Sequence, residues 1–223
     1  MIPRKVFCRL LNTKADTSPT IYALSTKLGR SAIGVVRVSG SQSSYIFHRL
    51  TKEQLKLPQP RMASVRRLVS PQEPSLLLDE ALVIYFKAPN TYTGEDILEF
   101  HLHGGTAISQ SVLRSIGLLH QPDKGVHIRY AEQGEFLKRA FINGRADLTT
   151  LEGVREMIDA ETETQRIAAL ASIKGDTKHV FSKWRDEIVH NVALLTTVID
   201  FGEDHDLDEV AHLFDSVAEN IKL

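Results

Sequence analysis

Sulfur chemistry is nearly missing from this sequence, whose only cysteine is Cys8. An intrachain disulfide is therefore excluded, and a reducing compartment suits the chain. Phosphate-cradling chemistry is missing as well. No stretch fits Gly-x-x-x-x-Gly-Lys followed by Ser or Thr, the pattern whose backbone amides wrap a nucleotide's phosphates. There is no Gly-x-Ser-x-Gly elbow, and Cys8, in a basic leader, is a poor nucleophile candidate. Nothing reads as a self-contained hydrolase site. No uninterrupted apolar run is long enough to span a bilayer, so no membrane insertion is expected. Neither sign of charge is in excess: the net charge is -1 at pH 7. Contact with RNA would need a local basic patch or a partner. Internal repeats and low-complexity tracts are also lacking.

What is present can build a core. The chain has 223 residues, 42% of them hydrophobic, which allows one large domain or two small ones. Its first stretch, residues 1–18, stands apart. It carries Arg4, Lys5, Arg9 and Lys14, with no acid before Asp16. Ile2, Val6, Phe7, Leu10 and Leu11 could share one face of a short helix. This composition is that of a mitochondrial transit segment; the alternative is a frayed polar terminus.

Beyond the leader, alternation and turn residues predict a mixed region. Strands are expected over Thr20–Ser25, Ile33–Val38, Ala63–Val69, Asp79–Lys87 and Ile97–His103. The third is read as basic on one side, through Arg66 and Arg67. Helices are expected from about Gln42 to Leu50 and from Thr106 to Leu119. Pro and Gly clusters mark the breaks: Leu55 to Pro60, Ser70 to Pro74, Ala88 to Asn90 and Thr93 to Asp96. From Leu148 the texture changes. Leu148, Leu151, Val154, Met157 and Ile158, then Ile167, Leu170 and Ile173, recur at helical spacing. A further helical run covers Val180 to Ile199. An acidic stretch, Glu203 to Glu209, and a last amphipathic segment follow. The order is an α+β region and then long helices.

Three groups of residues could carry chemistry. In the fifth strand, Glu99, His101 and His103 share one face, opposite Leu98, Phe100 and Leu102. That face is either a solvated side of a half-covered sheet or a site. Two histidines at i and i+2 can chelate a metal, but no convincing third ligand is in view. Gly104-Gly105 at a strand-to-helix junction permits close backbone approach, to an anion or simply within a tight turn. Finally, Phe136, Ala140 and Phe141 indicate a short helix closed by Asn143-Gly144, with Gly144 able to take the left-handed conformation. On the residues alone, this is a connecting helix whose basic side chains are solvated.

Read together, several segments resemble the N-terminal half of the MnmE (TrmE) family of tRNA uridine-modifying GTPases. They are Thr20 to Ser25, Ile33 to Gly40 with its Arg-Val-Ser-Gly, Thr93-Gly94-Glu95-Asp96-Ile97-Leu98-Glu99, and His101-Leu102-His103-Gly104-Gly105. Gly134-Glu135-Phe136 through Asn143-Gly144, Asp147-Leu148 with Leu151-Glu152-Gly153, and Ile199-Asp200-Phe201 continue the series. Glu161 to Arg166 and Ile199 to Asp204 look closest to the mitochondrial branch. The resemblance runs from Thr20 to about Glu209.

It implies an N-terminal, aminomethyltransferase-like sheet-and-helix domain over residues 19–146, which binds formyl-tetrahydrofolate and forms a homodimer. It implies that residues 147–223 begin an all-α helical domain, interrupted in the family by a Ras-like GTPase domain to which GTP and potassium belong. The P-loop is not in this chain, so GTP hydrolysis by these residues is not expected. With an MnmG-like, FAD-binding partner, the family modifies carbon 5 of the wobble uridine in certain tRNAs, the folate supplying the one-carbon unit. Folate contacts carry over to Arg37 of Arg-Val-Ser-Gly, to Glu99 of Gly-Glu-Asp-Ile-Leu-Glu, and to Arg145, where many members have lysine. At Arg145 charge is kept but geometry is not. Gln133 stands where many members have proline, which loosens that loop. A pterin edge presents adjacent N–H donors suited to a carboxylate, and the folate tail is anionic. Two further expectations stand: an apolar strip left exposed between Leu148 and Ile199, and no catalytic residue in this chain.

Overall fold

The computed structural model describes residues 18–52, 57–201 and 217–218. The basic leader, part of the proline-marked connection, the acidic stretch and nearly all of the closing segment lie outside the described residues. The chain divides into two compact units, Met1–Ala146 and Asp147–Leu223.

The first unit is built on six strands: β1 (Thr20–Leu24), β2 (Ile33–Ser39), β3 (Ser64–Val69), β4 (Leu77–Phe86), β5 (Ile97–His103) and β6 (Ile128–Tyr130). They lie in the order β3-β4-β5-β2-β1-β6. Every neighbouring pair is antiparallel except β1 with β6. Helices α1 (Ser43–Thr51) and α2 (Thr106–Gly117) cover one face. Period-2 alternation makes that face apolar. Val36 and Val38, Ala81, Val83 and Tyr85, and Leu98, Phe100 and Leu102 are buried against Ile46, Phe47 and Leu50 of α1 and Val112 and Ile116 of α2. Burying each large apolar side chain contributes about 1.5–3 kcal/mol, so these residues dominate the unit's stability.

Three sequence expectations are corrected here. Arg66 and Arg67 do not share a side, because consecutive strand residues point to opposite faces. Arg67 pairs in register with Glu80 and meets its carboxylate at 3.3 Å, whereas Arg66 pairs with Ala81, whose side chain belongs to the core. β4 begins at Leu77, two residues before the expected start, because a register shift near Val69 lets Leu77 complete the β3–β4 pairing. β6 was not foreseen. It has three residues and exists only by parallel pairing with β1, so it carries no periodic signal of its own.

Gly104 does permit a close approach, and the approach is to its own chain. Ser31 N–H donates to the Gly104 carbonyl at 3.1 Å, and a Cβ on Gly104 would collide with the Ser31 backbone. Helix α3 (Glu135–Ile142) ends as its sequence indicates, on Asn143 and a left-handed Gly144 with φ 66°.

In the second unit the helical run is cut into α4 (Leu148–Asp159), α5 (Glu163–Lys174) and α6 (Asp176–Phe201). Local side chains place the cuts. Asp147 caps α4 by accepting from the Thr150 N–H at 2.9 Å. Thr162 and Gln165 form a reciprocal capping box on α5. Gly175, with φ 95°, closes α5. Gly153 lets α4 and α5 pack tightly, since a Cβ there would sit 3.0 Å from the Ala169 carbonyl oxygen. Along α6, Trp184, Ile188 and Val192 are each more than half exposed. Among the described residues, no helix is long and apolar enough to cross a membrane.

Candidate functional site

The sheet face away from α1 and α2 carries the polar residues of β5. Register fixes their neighbours: Glu99 lies opposite Arg37 of β2 and Ile84 of β4, and His101 lies between Val35 and Leu82. Arg37 Nε donates to Glu99 Oε1 at 2.8 Å. The Glu99 side chain keeps 14% of its exposure and that of Arg37 28%. The pair is therefore partly screened from water yet reachable.

Two rings flank the Arg37 guanidinium. Its central carbon lies 5.4 Å from the Tyr92 centroid and 5.8 Å from that of Phe136. Such cation–π contacts hold a planar cation in one orientation. Burial raises the Tyr92 hydroxyl above the ordinary tyrosine value, while the charge of Arg37 pulls it the other way. Arg145, just past the α3 cap, donates from Nε to the Thr91 carbonyl at 2.9 Å. Arg37 and Arg145 are thus tied to adjacent residues of one loop, Tyr92 and Thr91. Among the described residues, neither arginine uses its terminal amino groups in a hydrogen bond, and Glu99 Oε2 accepts none. The three residues singled out from the sequence therefore supply one carboxylate oxygen and two sets of guanidinium donors, gathered by β2, β5 and the 88–96 loop.

That loop is held by Asp96. Its carboxylate accepts from the Tyr85 hydroxyl and from the Ala88 N–H, both at 2.8 Å. Burial and the neighbouring Asp96 push the Tyr85 hydroxyl well above its usual range, so it stays protonated.

Sequence reasoning missed a second charged group. Arg139 was expected to be solvated; it is buried. Its Nη1 meets both oxygens of Glu95 at 3.0 and 2.9 Å, and its Nη2 reaches the Pro19 carbonyl at 2.7 Å and Glu135 Oε1 at 3.3 Å. Arg129 grips Glu135 in a bidentate pair. Ser39 adds a hydroxyl donor to Glu95 at 2.7 Å. The available signal was Glu135 and Arg139 at i and i+4 on a helix whose next residue, Ala140, is small. This network borders a cavity of about 500 Å³ lined by Glu95, Arg129, Glu135, Lys138, Arg139 and Asn143, among others. Arg37 and Glu99 do not line it. Its buried charges are already paired with one another, so the cavity offers a ligand little that is unmet. The Arg37–Glu99 cradle is the better candidate for binding.

The histidines separate. His103 donates its backbone N–H to Asp79 Oδ2 at 2.9 Å, and its Nδ1 lies 2.6 Å from Oδ1. His101 Nε2 stands 3.5 Å from Glu99 Oε2. Among the described residues no group of three His, Cys, Asp or Glu side chains could hold a metal ion.

The comparisons with known proteins agree with this architecture. A family model described as the GTP-binding protein TrmE N-terminus matches residues 20–145, and one for the MnmE helical domain matches residues 148–222. A mitochondrial tRNA modification GTPase of Saccharomyces cerevisiae is 44% identical over 216 residues, covering 91% of this chain and 41% of that protein. The tRNA modification GTPase MnmE of Caulobacter vibrioides is 45% identical over 192 residues, covering 86% and 40%. A human mitochondrial 5-taurinomethyluridine-[tRNA] synthase subunit is 43% identical over 192 residues, covering 85% and 37%. The chain thus spans about two fifths of the length of the curated relatives it matches.

Proposed function

The chain belongs to the TrmE family, whose N-terminal and helical domain models it matches in succession, and on that premise we propose that it is the folate-binding, dimer-forming part of a mitochondrial tRNA-modifying system. Residues 19–146 bind a formyl-tetrahydrofolate or a related one-carbon derivative. Residues 147–223 open the helical domain; the yeast and human relatives are named mitochondrial, which supports the same location here, with residues 1–18 as the directing segment. Modification of the wobble uridine is completed with a flavin-binding partner of the MnmG type. GTP hydrolysis is assigned to a P-loop domain, since these 223 residues contain no such motif.

The observation that carries this reading is the Arg37–Glu99 cradle. A reduced pterin presents neighbouring N–H donors, and Glu99 has an oxygen with no donor among the described residues. The anionic glutamyl tail finds guanidinium groups at 37 and 145, each anchored through Nε with its forked end unengaged among the described residues. Titration calorimetry with formyl-tetrahydrofolate tests the assignment: Glu99→Ala abolishes binding while the chain remains folded. Unchanged affinity removes Glu99 from the role. Light scattering during the same titration reports whether the binding species is a dimer.

One observation favours a second reading. Glu99 and Arg37 already satisfy each other across the strands, as a purely structural ion pair would. On that reading the unit is a ligand-free dimerisation module, and the wild-type chain shows no heat of binding.

A further inference from the structure

His101 is the one neighbour of Glu99 whose role the cradle leaves open. Its Nε2 is shut off from solvent and has no hydrogen-bond partner among the described residues. It faces Glu99 Oε2 at 3.5 Å, too far for a hydrogen bond. Its cross-strand neighbours, Val35 and Leu82, offer no polar side chain. The charged or titratable groups on this face are Glu99 and His103 along β5, Arg37 on β2 beneath Tyr92, Glu80 on β4 with its partner Arg67 on β3, and Arg129 on β6, which is paired with Glu135. His103 is engaged with Asp79. A hydrogen on His101 Nε2 therefore has a single acceptor in reach among the described residues, Glu99 Oε2.

We infer that His101 is a positioning residue that decides whether Glu99 can receive a ligand's paired N–H donors, and that binding selects the imidazole without a proton on Nε2. In the neutral ring carrying its hydrogen on Nδ1, the Nε2 lone pair only abuts the carboxylate, and Oε2 is left to accept from a ligand. In the imidazolium both nitrogens are donors. The Nε2 hydrogen then turns onto Oε2, and Glu99 faces two cations, Arg37 and His101. The carboxylate becomes a weaker acceptor, and its ligand-facing oxygen is engaged. The inference rests on the proposal that Glu99 meets the pterin edge.

The test is titration of the whole chain with formyl-tetrahydrofolate. Measured in steps between about pH 8 and about pH 5.5, the affinity of the wild type falls roughly tenfold toward the acid end. His101→Leu binds with a flat profile over the same range, and His103→Gln keeps the wild-type slope. Should His101→Leu fold poorly, repeating the wild-type titration in two buffers of different ionisation enthalpy reads the same event as protons released on binding. A flat wild-type profile without proton release overturns the inference, and so does an unchanged slope in His101→Leu. Absence of binding at every pH overturns the folate reading itself, and this inference with it.

Discussion

The Arg139 network and the Arg37–Glu99 cradle use the same chemistry, guanidinium against carboxylate, within one α+β unit. They differ in closure. Arg139 and Glu135 are buried, Arg139 spans Glu95, Glu135 and the Pro19 carbonyl, and Arg129 fills the second side of Glu135. In the cradle, among the described residues, one oxygen of Glu99 has a donor and the other has none. A closed network fixes where the 88–96 loop, α3 and the chain before β1 meet. An unfinished one retains capacity for a ligand. Ion pairs therefore cannot be ranked as structural or functional by residue type; what matters is how many of their lone pairs and N–H groups the fold has already used.

The strongest break of this contrast is Arg139→Met. It leaves Glu95 and Glu135 without their shared cation in a buried site, and we expect a loss of about 3–5 kcal/mol in urea unfolding. The same network sets an acid limit. Burial pushes the Glu135 carboxyl up, but hydrogen bonds from Arg129, the Glu132 amide and Arg139 outweigh it and bring the value down to about 2 from an ordinary 4.5. A carboxylate lowered in the folded state stabilises above its unfolded value and ceases to as it is protonated. Stability should therefore fall as pH drops from about 4.5 toward 2, and Glu135→Gln, itself less stable at neutral pH, should flatten that slope. Glu99→Ala should cost much less, about 1 kcal/mol in unfolding, because the freed Arg37 can turn to water. A cost as large as that of Arg139→Met would place both pairs in the structural class.

The second unit gives the smallest effects and a useful reference. Asp147 is held well below the usual carboxylate range by Lys178 and by the Thr150 and Thr149 donors. Asp147→Ala removes an N-cap and should cost about 1 kcal/mol in thermal unfolding. Lys178→Ala, which touches only the exposed end of that group at 2.6 Å, should cost under about 1 kcal/mol.

Much of the fold was legible where periodicity is strong. β5 alternates without a break, and the apolar spacing of α1 and α2 placed both helices within a residue or two. The misses have physical causes. β6 is created by its partner, so Ile128–Tyr130 looks like loop until β1 lies beside it. The breaks at Thr162 and Gly175 are made by caps, while the apolar spacing on either side runs on through them. The burial of Arg139 is not legible, because a helix pattern does not say which polar residue another element will cover. The candidate site was legible in a different way: Arg37, Glu99 and Arg145 came from resemblance of motifs, and no spacing rule connects residues so far apart in the chain.

By itself, the sequence determined five of the six strands, the first two helices and the family. These depend on local periodicity and on motifs, which are properties of neighbours along the chain. Only the tertiary structure decided that Arg37 meets Glu99, that Arg139 is sealed while Arg145 is not, and that the His101 ring faces the Glu99 carboxylate. Each of those depends on strand register and on which loop lies over which face, quantities fixed by packing between residues far apart in the chain.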